Sequence, residues 1–154
     1  MTEHELEADL SDDQSSSGSL VERGDWLLKN LVTIVNQSGM EFGITLDTGG
    51  IIVSGLAIPA RKYCEQMASM LDDASGGEAL ASFFRGTAEA IYPPVEPDLN
   101  LDLDLRVGFI HLENARYFST SGAPVPGDSG MLWRGQIESI AGFSFGSLSN
   151  TGGT

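Results

Sequence analysis

The chain has 154 residues, 41% of them hydrophobic, which suits one domain with a core of its own. Eight Lys and Arg face 22 Asp and Glu, and the resulting formal charge of −14 argues against nucleic acid or an anionic membrane surface as partner. A single cysteine, Cys64, excludes an internal disulfide and a cysteine-based zinc site.

Residues 1–22 carry seven acids and no Lys or Arg, around the run Ser15-Ser16-Ser17-Gly18-Ser19. Such a segment buries too little apolar surface to offset the entropy of ordering it, so it is expected to be a disordered acidic tail. No basic, apolar leader opens the chain, and a signal peptide is not expected. A single domain is expected over 23–146. Asp25 is a helix N-cap, Trp26, Leu27, Leu31, Ile34 and Val35 recur at helical spacing, and Gly39 stops the helix after Ser38. Phe42, Ile44 and Leu46 then alternate with polar or small residues. Asp47-Thr48-Gly49-Gly50 turns the chain into Ile51-Ile52-Val53, a hairpin. The uncharged stretch Thr48 to Ala60 is too short and too rich in glycine to cross a bilayer.

A helical insertion is expected over 59–91. Pro59 opens one helix with Tyr63, Met67, Met70 and Leu71 on a face, and Gly76-Gly77 breaks the chain. A further helix carries Leu80, Phe83, Phe84, Ala88 and Ile91. An acidic, proline-rich linker over 92–104 follows. Val107, Phe109, Ile110 and Leu112 then mark a strand, and Tyr117 and Phe118 end it or begin another. Ser119 to Gly130 is rich in turn residues. From Leu132 to Phe145 the alternation returns, with Gly135 and Gly142 as expected bends. Residues 147–154 read as a flexible C-terminus.

The fold class is therefore α+β: an N-terminal helix and a strongly bent antiparallel sheet of about five strands, with a two-helix insertion. That order resembles the Sm-like small barrel. Ile110-His111-Leu112-Glu113-Asn114-Ala115 is similar to its third strand, and Arg134-Gly135-Gln136-Ile137 to its Arg-Gly pair. Phe109 stands where that fold places an RNA-binding asparagine. A nucleic-acid-binding regulator of Sm-like type is thus the alternative function, opposed by the acidity.

Motifs for chemistry are few. Gly127-Asp128-Ser129-Gly130 resembles the nucleophile segment of trypsin-like proteases, but residue 131 is Met. The chain offers only His4 and His111 as bases, and such residues beside prolines are ordinary turn formers. Asp98-Leu99-Asn100-Leu101-Asp102-Leu103-Asp104 alternates oxygen ligands but lacks the glycine and glutamate of a calcium loop, so a solvated edge or linker is the plainer reading. His111 has no second His or Cys partner and reads as a satisfied strand histidine. Cys64 reads as a buried structural thiol. Neither glycine pair has the spacing of a phosphate loop. No catalytic, cofactor or metal site is expected. What remains is surface: Arg116, Trp133, Arg134, Phe143 and Phe145 gather in the C-terminal strands, and Trp and Arg are enriched at interface hot spots.

Three strings add a resemblance: Leu31-Val32-Thr33-Ile34-Val35-Asn36-Gln37-Ser38-Gly39, then Ile110 to Phe118, then Leu132-Trp133-Arg134-Gly135-Gln136-Ile137 running on to the closing Gly142-Phe143-Ser144-Phe145-Gly146. Together they are similar to the gas vesicle accessory proteins of the GvpU kind, over roughly Leu27 to Leu148. The resemblance implies a cytoplasmic, non-enzymatic protein without cofactor that affects vesicle assembly or clustering. Its implied partners are the vesicle shell, other gas vesicle proteins, or further copies of itself.

Overall fold

The computed structural model describes residues 23–92, 94 and 107–148. The expected acidic tail, most of the linker with its alternating Asp98–Asp104 string, and residues 149–154 lie outside the described residues.

Helix α1 runs Trp26–Ser38. The Asp25 carboxylate accepts the Leu27 amide at 2.8 Å, satisfying one of the N–H groups a helix start leaves orphaned. Gly39, at φ 74°, closes the helix with its amide on the Val35 carbonyl. The buried stripe is Leu28, Val32 and Val35, one residue round from the expected one, so Trp26 and Leu27 face outward. Strands β1 (Phe42–Asp47) and β2 (Ile52–Ala57) form the hairpin, with Asp47 paired to Ile52. The Asp47 carboxylate accepts the Gly49 amide, so the turn residue holds its own turn.

Helices α2 (Ala60–Asp72) and α3 (Glu78–Ile91) form the insertion and pack on each other. Strand β3 is one continuous run, Phe109–Phe118, so Tyr117 and Phe118 end it. The two-residue β4 (Pro124–Val125) and then β5 (Met131–Gln136) both pair with β3 along one side. A single 3-10 turn, Ile137–Ser139, leads to β6 (Gly142–Phe145), which pairs back on β1. Among the described residues the sheet is antiparallel with six strands, the extra one being the short β4 inside the turn-rich segment. The order places β5 and β6 at opposite edges with no ladder between them among the described residues, so the sheet is open there and not closed into a barrel.

The sheet buries both faces. On one, α1 covers Ile44, Leu46, Val53, Ala57, Ile110, Leu112 and Ala115, and Ile137 of the 3-10 turn joins that core. On the other, a smaller cluster gathers Ile58, Tyr63, Cys64 and Ala88, with Leu56 and Leu132 of the sheet beside it. Gly146–Leu148 fold back across β1 and β2: the Leu148 amide donates to Ser54 Oγ at 2.7 Å, and Thr45 Oγ1 donates to the Gly146 carbonyl at 2.8 Å.

Candidate interaction surface

Strand register decides where the expected surface residues go. Trp133 pairs with Leu112, Phe143 with Leu46 and Phe145 with Ile44, so all three aromatics lie on the α1 face. Arg134 pairs with His111 and Arg116 with Ser54, on the opposite face. The bulge at Asn114, with φ of 50°, sets the position of Arg116, because one extra residue in β3 reverses which face it takes. The five residues are thus divided between two faces of the sheet.

Their contacts differ as well. Trp133 packs against the main core and donates its indole N–H to the Tyr117 hydroxyl at 2.8 Å. Its ring lies across the backbone of Gly135, where an added Cβ would stand 2.6 Å from Cζ3. Phe143 also packs on the core. Phe145, 65% exposed, sits at the edge with Phe42 at 5.4 Å and Phe143 at 6.2 Å between ring centroids. Arg116 donates to the Asp128 carbonyl at 3.1 Å, and Asn114 Oδ1 accepts the Gly130 amide at 3.0 Å. Those two bonds fix the Gly127–Gly130 turn.

Arg134, itself exposed, reaches in to the buried His111 under the insertion. Its guanidinium carbon stands 3.8 Å over the Phe109 ring, and Nη1 lies 2.9 Å from His111 Nε2. Arginine has no acceptor, so Nε2 accepts and the imidazole proton sits on Nδ1. His111 is 2% exposed and its ring is 4.7 Å from that of Tyr63. Burial, and then the Arg134 charge, push its pKa down from 6.5 to about 3, so it is neutral. Burial likewise raises the Tyr63 hydroxyl and the Cys64 thiol, which stays protonated and a poor nucleophile. Neither nitrogen of His111 meets Ser129: Nε2 is held by Arg134, and Nδ1 has no hydrogen-bond partner. Ser129 is exposed in its turn, outside any base-nucleophile pair. Among the described residues no group of three His, Cys, Asp or Glu could hold a metal ion, and no helix is long and apolar enough to cross a membrane.

A second surface was not legible as surface in the sequence. Leu80, Phe83 and Ile91 of α3 are 56%, 64% and 65% exposed, with Phe84 half-buried beside them. The helix meets its neighbours through Ala81 and Ala88 instead. Five apolar residues at helical spacing gave two overlapping stripes, and the small residues took the inner one. A Lys62 ammonium tied to Glu41 at 2.6 Å and Glu113 at 3.3 Å anchors α2 to the sheet.

A family model described as gas vesicle protein GvpU-like matches residues 25–148. The chain belongs to this family. The match runs from the cap of α1 to the last residue described, so the insertion and the sheet are both part of a GvpU-like domain. The protein is accordingly a gas-vesicle-associated protein. No curated protein and no solved structure matches it.

Proposed function

We propose that this GvpU-like protein is a non-enzymatic accessory factor that attaches to the gas vesicle shell or to its own copies, and thereby affects vesicle assembly or clustering. The observation that supports it best is the α3 stripe of Leu80, Phe83 and Ile91, large apolar side chains standing in water on a protein of charge −14. Phe145 at the β6 edge is the second contact; Arg116, Trp133, Arg134 and Phe143 shape the sheet behind it. A shell is a repeated surface, so many weak contacts add by avidity. The surplus of carboxylates, seven of them in residues 1–22, sets the threshold for self-association by repulsion.

Co-sedimentation with buoyant vesicles tests the reading. Full-length protein should float with the vesicles, and the Phe83→Ser, Ile91→Ser pair should lower the bound fraction by about tenfold or more, since each buried side chain of this size is worth roughly 1.5–3 kcal/mol. Salt shortens charge repulsion to about 8 Å at physiological ionic strength, so light scattering of the purified protein should rise along a salt series. No flotation, together with a monomer at every salt concentration, would overturn the proposal.

A further inference from the structure

Strand β6 is an edge of the sheet, and among the described residues it pairs with β1 alone. The Gly146 amide donates to the Gly43 carbonyl at 2.8 Å, and bonded pairs alternate along an antiparallel ladder. Ser144 therefore turns its backbone groups inward to Thr45. Phe143 and Phe145 turn theirs outward, where no hydrogen bond reaches them among the described residues. Beyond Gly146, at φ 98°, the chain folds inward and Ser147 crosses Gly43 of β1, leaving the outer side of β6 uncovered among the described residues. Phe145 stands 65% exposed there.

Charge and symmetry decide what fits this edge. A bare edge invites pairing, and proteins ordinarily blunt it with charge or proline. Residues 139–154 hold neither, on a chain of charge −14. The one acid on β1, Asp47, is turned to the Gly49 amide of its own hairpin. A copy of equal charge can therefore approach at this edge without setting like charges face to face. The order of residues adds the symmetry: Gly142-Phe143-Ser144-Phe145-Gly146 reads the same in both directions. A two-fold axis makes residue i of one copy meet j of the other, and j meet i, so two copies pair antiparallel through an edge that complements its own reverse. β6 does so in residue order and in the direction of its free backbone groups, and both phenylalanines share the α1 face.

We propose that β6 pairs antiparallel with β6 of a second copy of this chain, about a two-fold axis at Ser144, so that the sheet runs on from one copy into the other. Phe143 exchanges both of its outward backbone bonds with Phe145 of the partner subunit, and Phe145 does the same with the partner's Phe143. The cross-strand rings extend the cluster of Phe42, Phe143 and Phe145 and take Phe145 out of water. This contact gives the proposed self-association its surface and rests on that reading. The pairing closes at two copies, because each edge is used once. The stripe of α3 belongs to the insertion on the other face of the sheet and stays free, so the dimer carries two of them and can tether two vesicles.

The test uses the full chain. Ser144→Cys in a Cys64→Ser background reads the register, since the non-bonded site of an antiparallel pair brings Cα atoms to about 4.5 Å, within disulfide range. Mild oxidation should link two copies about tenfold faster, or more, than in Ser121→Cys, an exposed control position between β3 and β4. Sedimentation along concentration and salt series should show a monomer–dimer equilibrium, and Phe145→Lys should weaken it about tenfold or more. The direction discriminates: an added positive charge reduces the net charge and would strengthen any association limited by repulsion alone. Urea unfolding of dilute Phe145→Lys should match the parent, because the side chain is exposed and the outward N–H serves no bond inside the fold. The Phe83→Ser, Ile91→Ser pair should dimerise like the parent. A dimer unchanged in Phe145→Lys, a dimer lost in the stripe variant, or cross-linking no faster at residue 144 than at 121 overturns the edge and leaves self-association to another surface. A monomer at every concentration and salt overturns the edge and self-association together, leaving attachment to the shell, read by flotation, as the surviving part of the proposed function.

Discussion

Replacing Gly135 with alanine should move Trp133 and destabilise the domain by about 2–4 kcal/mol. The Trp133 indole rests on the Gly135 backbone, and a methyl at that position overlaps Cη2 and lies 2.6 Å from Cζ3 and 2.8 Å from Cζ2. Ordinary contact begins near 3.4 Å, so the ring must retreat by about 0.8 Å or more. Behind it stands the main core, with Leu112 and Ile137 fully buried, and interiors packed to crystal density do not yield that distance. Overpacking of this kind costs about 1–3 kcal/mol, and loss of the indole N–H to Tyr117 bond adds about 0.5–1.5 kcal/mol. Trp26 is 65% exposed and contributes its own emission, so the measurement belongs in a Trp26→Phe background, where fluorescence reports Trp133 alone. Urea unfolding gives the stability, and a red-shifted native emission gives the displaced ring. Gly142→Ala is the control: it is also a strand glycine, its added Cβ meets nothing within 4 Å, and it should stay within about 0.5 kcal/mol. Gly135→Ala with parental stability and parental Trp133 emission would refute the reasoning.

His111 should not titrate between pH 7.5 and 4.5. Its folded pKa of about 3 lies below the ordinary 6.5, so the unfolded chain takes up a proton that the folded one refuses. Stability is then lost as pH falls from about 6.5 toward 3, at up to about 1.4 kcal/mol per pH unit, and a His111 midpoint above pH 5 by NMR would contradict the burial account. Burial opposes the charge of Lys62, but Glu41 and Glu113 raise its pKa overall, so its stabilising effect is present up to the ordinary lysine range near 10.5 and lost above it. Lys62→Met should cost no more than about 1 kcal/mol at pH 7, because the group is partly exposed, and the difference from the parent should vanish in strongly alkaline urea titrations. Cys64, 2% exposed with a raised pKa, should react with a thiol reagent only at the rate of unfolding; fast labelling of the native protein would show an open route to it.

Features settled by neighbours in the chain were legible from residue types. Asp25 and Gly39 bound α1 because a capping carboxylate and a left-handed C-terminal residue act within one turn. Asp47-Thr48-Gly49-Gly50 makes the hairpin for the same local reason, and Gly76 takes a positive φ, 79°, between the inserted helices. The family strings were legible too, since they are carried by the residues themselves. The surface proposed here for partners was only partly legible. Phe145 is exposed, as a contact residue must be, whereas Trp133 and Arg134 are neighbours in sequence that the pleat sends to opposite faces.

The sequence by itself determined the helices and the main strands, the α+β class, the surplus of negative charge and the family. The tertiary structure alone decided which side of each element is inside. Α one-residue turn of α1 exposed Trp26 and Leu27, a bulge at Asn114 set the face of Arg116, and Ala81 and Ala88 took the inner side of α3, leaving Phe83 in water. Periodicity specifies that a face is apolar, but when two stripes overlap, the choice falls to the shape of the neighbour, and that neighbour is distant in the chain.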